Sequence, residues 1–193
     1  MIDKIIKGIK YLLDEENLTA EVIYKRGYEG DFIIPEIVVL KKVAYRVTSI
    51  GKQAFYGCKS LTSIVIPDGV MSIESYTFRL CSSLTSIVIG NGVTSIGYEA
   101  FYGCESLTSI VIGNGVTSIK ENAFYGCKSL TSIVIPESVM SIGKGVFNWC
   151  RYLTSMAFNG TIAQWKGIEL GDEWNAYVPA RVIHCTDGEV EIN

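Results

Sequence analysis

One stretch of the chain decides its fold: Leu84-Thr-Ser-Ile-Val-Ile-Gly-Asn-Gly-Val-Thr-Ser-Ile-Gly-Tyr-Glu-Ala-Phe-Tyr-Gly-Cys104. Its opening phrase, Leu-Thr-Ser-Ile-Val-Ile, recurs every 23 residues at Leu61, Leu84, Leu107 and Leu130, with the variant Leu-Thr-Ser-Met-Ala-Phe at Leu153. A fixed period of this length is typical of a solenoid, because one unit cannot bury its own apolar face and must stack on its neighbours. The sequence therefore predicts stacked coils rather than a globule.

The regular array runs from residue 47 to residue 158 and predicts five coils of short parallel β-strands joined by short helical turns. Each coil repeats four buried residue types in a fixed register: Val47, Val70, Val93, Val116 and Val139; Ile50, Ile73, Ile96, Ile119 and Ile142; Phe55, Phe78, Phe101, Phe124 and Phe147; Cys58, Cys81, Cys104, Cys127 and Cys150. Because successive coils superpose, equivalent side chains should form continuous columns through the interior.

A single coil shows which side chains point inward. Residues 61–66 alternate, so Ile64 and Ile66 should lie on one face of a strand, with Ser63 and Val65 on the other. Pro67-Asp-Gly breaks that strand, a second extended stretch follows at 70–73, and residues 74–81 carry the phenylalanine inward. Burying each large apolar side chain contributes about 1.5–3 kcal/mol, provided that the next coil covers it.

Residues 1–46 and 159–193 lie outside the array and are predicted to be its two caps. The first cap is predicted to be a β-hairpin in which residues 9–13 and 18–24 flank the turn at 14–17, after a frayed lead-in at 1–7. The alternative is an amphipathic helix over residues 2–13. In the second cap, a short helix should begin near Thr161, Trp165 and Trp174 should cover the last coil, and residues 182–188 should form a closing strand and turn.

Composition excludes several classes of function. The 193 residues are 48% hydrophobic and carry a formal net charge of −3, without a basic stripe or an acidic tail. Neither nucleic-acid binding nor membrane insertion is expected, because the longest apolar runs are far below membrane-spanning length. Five of the six cysteines occupy one repeated position, so we expect free, inward-facing thiols rather than disulfides or a zinc site.

Residues 84–104 and 107–127 follow the motif Leu-x-x-Ile-x-Ile-Pro-x-x-Val-x-x-Ile-Gly-x-x-Ala-Phe-x-x-Cys, apart from Gly90 and Gly113 at its proline and Lys120 at its glycine. This motif resembles the BspA-like (Treponema-type) leucine-rich repeats. Asn159-Gly-Thr-x-x-x-Trp and His184-Cys-Thr-Asp-Gly resemble the trailing cap of that family. The resemblance implies a bacterial, adhesin-like cell-surface or secreted protein. The chain departs from the common repeat at its corner, where Gly69, Gly92, Gly115 and Ser138 replace asparagine or cysteine. This corner is therefore expected to depend on proline and glycine rather than on an asparagine ladder.

The N-terminus leaves the compartment open. Its first ten residues contain early lysines but neither a continuous apolar h-region nor a small-residue cleavage site. Two alternatives follow: the protein stays inside the cell, or a leader was removed from it.

The search for chemistry gives no catalytic, cofactor-binding or metal-ligating residues. His184 and Cys185 are a conceivable base and nucleophile. Because neighbouring residues of a strand point to opposite faces, these two side chains should not meet. The carboxylates share no column, and Gly-Asn-Gly at 90–92 and 113–115 lacks the helix and lysine of a phosphate-binding loop. We therefore expect no enzyme, no cofactor and no metal.

Two repeated outer columns remain as candidates for binding a protein partner. The first consists of small residues on the main strands: Ser63 and Val65, Ser86 and Val88, Ser109 and Val111, Ser132 and Val134. The second is the column Tyr56, Tyr102 and Tyr125, which Arg79 and Asn148 interrupt. The sequence thus favours a non-catalytic protein-interaction module that binds host, matrix or neighbouring-cell proteins. The alternative is a structural spacer or repeat fragment without its own ligand.

Overall fold

A computed structural model describes residues 1–192. The chain winds into a β-solenoid of about seven turns, which confirms the predicted repeat fold. The described residues form these elements in order: β1 (Ile2–Ile6), β2 (Ile9–Asp14), β3 (Thr19–Val22), β4 (Glu29–Ile33), β5 (Ile37–Leu40), β6 (Val43–Ile50), β7 (Ser60–Ile66), β8 (Ser72–Ile73), β9 (Ser86–Ile89), β10 (Ser95–Ile96), β11 (Ser109–Val111), β12 (Ser118–Ile119), β13 (Ser132–Ile135), β14 (Ser141–Ile142), β15 (Ser155–Phe158), α1 (Ile162–Lys166), β16 (Glu169–Leu170), β17 (Val182–Cys185) and β18 (Gly188–Glu191).

Two sheets form the long walls of the solenoid. The strands of the Leu-Thr-Ser-Ile phrase make a front sheet in two blocks, ordered β11-β9-β7-β4 and β13-β15-β17-β18. The second strands of the coils make a back sheet of ten strands, ordered β1-β2-β3-β6-β8-β10-β12-β14-β16, with β5 also paired to β6. Adjacent coils pair in parallel and in register, as Ile64 with Ile87 and Ile73 with Ile96. Residues that lie one repeat apart in the sequence are therefore paired in the sheets.

The third wall, formed by residues 51–60 and their equivalents, is built from turns. Within it, every second N–H donates to the next coil, as Phe55 does to the Thr77 carbonyl (2.9 Å) and Phe78 to the Ala100 carbonyl (2.8 Å). The intervening N–H groups close turns inside their own coil, as Cys81 does onto Phe78. Two residues of each coil adopt the left-handed backbone conformation in these turns. Positive φ therefore recurs along two columns: Gln53, Tyr76, Glu99, Asn122 and Gly145; Gly57, Leu80, Gly103, Gly126 and Trp149.

The interior columns lie as predicted. Phe55, Phe78, Phe101, Phe124 and Phe147 stack face to face, with ring centroids 5.0–5.6 Å apart. The five repeated cysteines are buried and free. The Cys81 thiol donates to the Phe55 carbonyl at 3.0 Å, and the equivalent bond recurs in later coils. In these four coils the S–H group of the buried cysteine therefore has a hydrogen-bond acceptor.

The N-terminal cap contains the predicted hairpin, in which β2 pairs antiparallel with β3. The frayed lead-in is wrong, because β1 pairs with β2 over five residues from Ile2↔Leu13 to Ile6↔Ile9. The alternative helix is wrong for the same reason. Lys7 and Gly8 both have positive φ (48° and 85°), the conformation of a two-residue hairpin turn whose twist suits antiparallel strands.

Residues 159–192 cover the other end of the repeat array. Helix α1 begins after Thr161, whose side chain accepts from the Gln164 N–H, while the Thr161 N–H donates to Gln164 Oε1. Trp165 packs on Phe158 and Trp174 packs on Phe147, with ring centroids 5.4 Å and 6.2 Å apart. The predicted closing strand and turn are β17 and β18, which pair antiparallel.

The corner after each front strand is so tight that two of its glycines cannot be replaced without movement. A Cβ on Gly92 would lie 1.8 Å from the Asp68 carbonyl oxygen, and a Cβ on Gly115 would lie 1.9 Å from that of Asn91. The prediction that this corner lacks an asparagine ladder is wrong for the first three coils. One position earlier, the Asp68 carboxylate accepts from the Asn91 N–H, and the Asn91 side chain accepts from the Asn114 N–H.

The front sheet splits between the third and fourth coils, since within residues 1–192 β11 and β13 share no strand pairing. The fourth coil has Ser138 where the second and third have glycine, and Pro136 where they have glycine again. At the equivalent positions of the earlier coils, an added Cβ would clash with the backbone of the preceding coil. The fourth coil must therefore lie farther from the third at this corner. Ser138 donates instead to the Val116 carbonyl at 2.7 Å. Ile110 is consequently only partly buried, whereas Ile87 is fully buried.

Candidate protein-binding faces

The outer surface of the front sheet presents the predicted serine and valine column. Val65, Val88, Val111 and Val134 are 36%, 40%, 54% and 46% exposed, and exposure is greatest beside the split. Three of the four predicted rungs lie side by side, with Ser63 opposite Ser86 and Ser86 opposite Ser109. The fourth rung, Ser132 and Val134, belongs to the second block of the sheet. The structure therefore places these residues on one face but divides them at the split.

The hydroxyl groups of this face are partly used by the fold. The threonines beside the serine column donate to carbonyls of the preceding coil, as Thr85 does to Thr62 (3.0 Å) and Thr108 to Thr85 (3.1 Å). They hold neighbouring strands together and are not free for a ligand. Valine methyl groups and serine hydroxyls remain on the surface, which makes the face flat and weakly polar.

Asp31 extends the face at its N-terminal edge, although this residue lies outside the repeat array and was not predicted. The residue lies on β4, opposite Ser63, after a register shift between Gly30 and Asp31. Its carboxylate accepts from the Ser63 and Thr62 hydroxyls at 2.6 Å each, and these bonds lower the pKa of Asp31. The column of small neutral residues therefore ends in a fixed negative charge.

The tyrosine column is less available than its sequence suggested. The Tyr102 and Tyr125 rings stack at 4.8 Å, only 2° from parallel, and the Arg79 guanidinium covers the other face of Tyr102 at 4.1 Å. Arg79 also pairs with the largely buried Glu99. Ring edges and hydroxyls remain for a partner. Tyr56 is separated from this stack by Arg79, so the structure brings two of the three predicted tyrosines together.

A second aromatic group lies at the C-terminal end of the third wall and was not predicted. The Trp149 and Tyr177 rings are 4.7 Å apart, and the Arg151 guanidinium lies 4.4 Å from the Trp149 ring centre. Tyr177 is 69% exposed. Because both aromatics occupy positions that glycine or leucine holds in the other coils, no column in the sequence pointed to them.

The structure pairs His184 with Glu189 rather than with Cys185. His184 is exposed on β17, and its Nδ1 lies 3.0 Å from Glu189 Oε1 across the hairpin. Burial and the nearby Asp187 raise the pKa of the Cys185 thiol, which opposes formation of the nucleophilic thiolate. Among residues 1–192 no three His, Cys, Asp or Glu side chains are grouped closely enough to hold a metal ion.

Stacked coils with an apolar strand face and a turn-built third wall define the class of leucine-rich repeat solenoids. The model of the BspA type leucine rich repeat region matches residues 47–167 in six copies, and the chain belongs to this family. This confirms the resemblance seen in the sequence. No curated protein matches the chain significantly.

Solved structures of bacterial leucine-rich repeat proteins share the fold. A leucine rich cell surface protein from Faecalibacterium prausnitzii is 28% identical, with a TM-score of 0.73, over 97% of this chain and 55% of its own. A leucine-rich repeat protein from Bacteroides ovatus is 32% identical, with a TM-score of 0.79, over 94% of this chain and 47% of its own. The chain thus spans about half the length of these two proteins. The leucine rich repeat protein of T. pallidum, 22% identical with a TM-score of 0.68 over 88% of this chain and 86% of its own, shows the fold alone.

No helix within residues 1–192 combines the length and the apolar character needed to cross a membrane.

Proposed function

We propose that this chain is a non-catalytic, adhesin-like module that binds other proteins through the outer face of its front sheet. The observation that carries the proposal is the exposed valine column of Val65, Val88, Val111 and Val134, since apolar side chains aligned on one face are typical of an interaction surface. The relative from F. prausnitzii is named a cell surface protein. That name supports a surface location for this chain, and we propose a host, matrix or neighbouring-cell protein as its partner.

The chemistry of the face favours an extended protein segment. Successive front strands in one block of the sheet present the same serine and valine in register, so the face forms a straight, shallow track. A partner lying along the track would bury methyl groups and bond to serine hydroxyls. The tyrosine stack is the lesser candidate, because its ring faces are already covered.

The experiment is a capture assay with candidate surface and matrix proteins, using the wild-type chain and the double variant Val88→Lys with Val111→Lys. Two lysines placed on the track should reduce capture at least about tenfold, since charge is depleted from the centres of protein interfaces. The matched control is Met71→Lys with Met140→Lys. Those methionines are 64% and 65% exposed. Replacing them with lysine adds the same charge as the first variant, but away from the front face. Equal capture by both double variants would disprove binding through the front face.

A structural spacer is the second candidate, because the threonine hydroxyls and tyrosine ring faces are satisfied within the fold. A spacer predicts no capture by any variant at micromolar concentrations. The non-catalytic part of the proposal has a separate test: any hydrolytic activity of the chain that is lost on His184→Ala would contradict it.

A further inference from the structure

The two sheets of the solenoid end unevenly at the N-terminus. The back sheet continues beyond β3 with two more strands, β2 and then β1. The front sheet stops at β4, which belongs to the same turn as β3. Two strands of the back sheet therefore overhang the end of the front sheet, and no front strand lies opposite them among residues 1–192.

An apolar groove lies under this overhang. It has a volume of about 460 Å³, and Ile6, Ile9, Phe32, Ile37 and Val39 contribute its apolar lining. The apolar side chains at its rim are unusually open to solvent: Ile33 is 75% exposed, Val39 57% and Ile37 52%. Several large aliphatic side chains gathered at one open edge mark an interaction site rather than ordinary surface scatter.

The edge of the front sheet beside this groove is unpaired. Strand β4 is hydrogen-bonded to β7 on one side, and within residues 1–192 its backbone has no strand partner on the other. Natural sheets usually protect such an edge with lysine, proline or a covering segment. Here the edge residues are Glu29, Gly30, Asp31, Phe32 and Ile33. A strand that adds to this edge would be held by main-chain hydrogen bonds and would cover the groove.

We propose that β4 is a docking edge for an extended segment of a partner protein, which adds one strand to the front sheet and closes the groove. Charge and pattern define that segment. Asp31 and Ile33 lie on the outer face of β4, opposite Ser63 and Val65, whereas Phe32 lies between them on the inner face, opposite Ile64. The segment should therefore carry a lysine or arginine and a β-branched residue on one face, with a large apolar residue between them on the other.

A second copy of this chain is a poor occupant of the same edge. Two β4 strands related by a two-fold axis would pair antiparallel. Centred on Asp31, that pairing places two carboxylates directly opposite each other, which is destabilising. The hydrogen bonds from Ser63 and Thr62 keep this carboxylate ionised by lowering its pKa. Lys7 lines the groove but does not lie on the edge strand.

The experiment uses the whole chain and a fluorescent, end-blocked peptide of sequence Thr-Lys-Leu-Val-Thr as the probe, with fluorescence polarisation as the readout. The first control is the peptide in which glutamate replaces lysine, which should bind about fivefold to tenfold more weakly. The second control replaces the leucine with threonine, so that no large apolar residue faces the groove. Asp31→Asn keeps the hydrogen-bond acceptor but removes the charge, and should bring the lysine and glutamate peptides within about twofold of each other.

Ile33→Lys supplies the edge lysine that natural sheets use against strand addition, and should weaken probe binding at least about tenfold. Met71→Lys is the matched control, because it adds a lysine at an exposed site away from the front sheet and should leave binding unchanged. Val88→Lys separates this edge from the track of the proposed function. Loss of binding by Val88→Lys alone would assign the probe to the track of the proposed function and overturn the edge proposal. Equal binding of all three peptides, or no binding, would also overturn it. So would a dimer in sedimentation analysis that Ile33→Lys abolishes, because the occupant would then be a second copy.

Discussion

The corner glycines give a direct test of why the front sheet splits. Gly92→Ser places in the second coil the residue type that Ser138 supplies in the fourth. Its Cβ would start 1.8 Å from the Asp68 carbonyl oxygen, a backbone atom that cannot rotate away. Because real Cβ atoms keep at least 3.0 Å, the second coil must move off by 3.0 − 1.8, or about 1.2 Å, at this corner.

That movement should weaken the pairing between β7 and β9, which runs from Ser63↔Ser86 to Ile66↔Ile89. Loss of two inter-strand hydrogen bonds, at about 0.5–1.5 kcal/mol each, gives a destabilisation of about 1–3 kcal/mol. Denaturant titration measures this value. Hydrogen exchange locates it, since the amides of residues 86–89 should exchange faster than in the wild type. Met71→Ser is the control, because Met71 is 64% exposed and its replacement creates no backbone clash.

The converse variant carries Pro136→Gly and Ser138→Gly. It should let the fourth coil close on the third, and exchange at residues 131–135 should become slower. Exchange is the proper readout here, because two new glycines raise the entropy of the unfolded chain and obscure a gain in stability. Unchanged exchange at residues 131–135 would show that the side chains at this corner do not cause the split.

The remaining predictions test the core and the cap. Phe101→Ala should cost about 3–5 kcal/mol, since it empties a fully buried aromatic site between two stacked rings. Tyr102→Ala, which loses one stack and the Arg79 contact, should cost about 1–2 kcal/mol; the reverse order in denaturant titration would mean that the two faces are wrongly assigned. At pH 8 a thiol reagent should titrate only the half-buried Cys185 in the native protein, and all six cysteines after unfolding. Burial raises the pKa of Cys104 to about 12, and the four equivalent cysteines are buried as well, so the reagent cannot reach them. Thr161→Ala should lower stability by about 1 kcal/mol by removing the helix cap, measured by thermal unfolding.

The interior of the fold was predictable because the repeat imposes it. Once Phe78, Phe101 and Phe124 share a register, only stacking can bury them, and the same logic fixes the cysteine and isoleucine columns. The outward direction of Val65 and its equivalents followed from strand alternation. These predictions needed no knowledge of how the turns are built.

Features outside that logic were harder to predict. Ile2, Ile5, Ile6 and Ile9 fit helical spacing as well as they fit a frayed strand, and only the left-handed turn at Lys7 and Gly8 selects the hairpin. The stacking of Tyr102 on Tyr125 depends on side-chain rotamers, which spacing does not determine. Asp31 joins the front face through a register shift in a cap that shares no period with the array.

Regularity also limits what the front face can recognise. Four coils present the same valine and serine, so a partner that reads only those residues can bind in about four equivalent positions. This degeneracy contributes about RT ln 4, or roughly 0.8 kcal/mol, to affinity and nothing to selectivity. Selective binding must therefore use places where the repeat fails. The described residues offer two on the front sheet: the charged edge at Asp31, and the split beside Val111 and Val134, where exposure is greatest. A partner anchored at Asp31 and extending along the track would bind in one position, because the negative charge occurs on only one rung of the column.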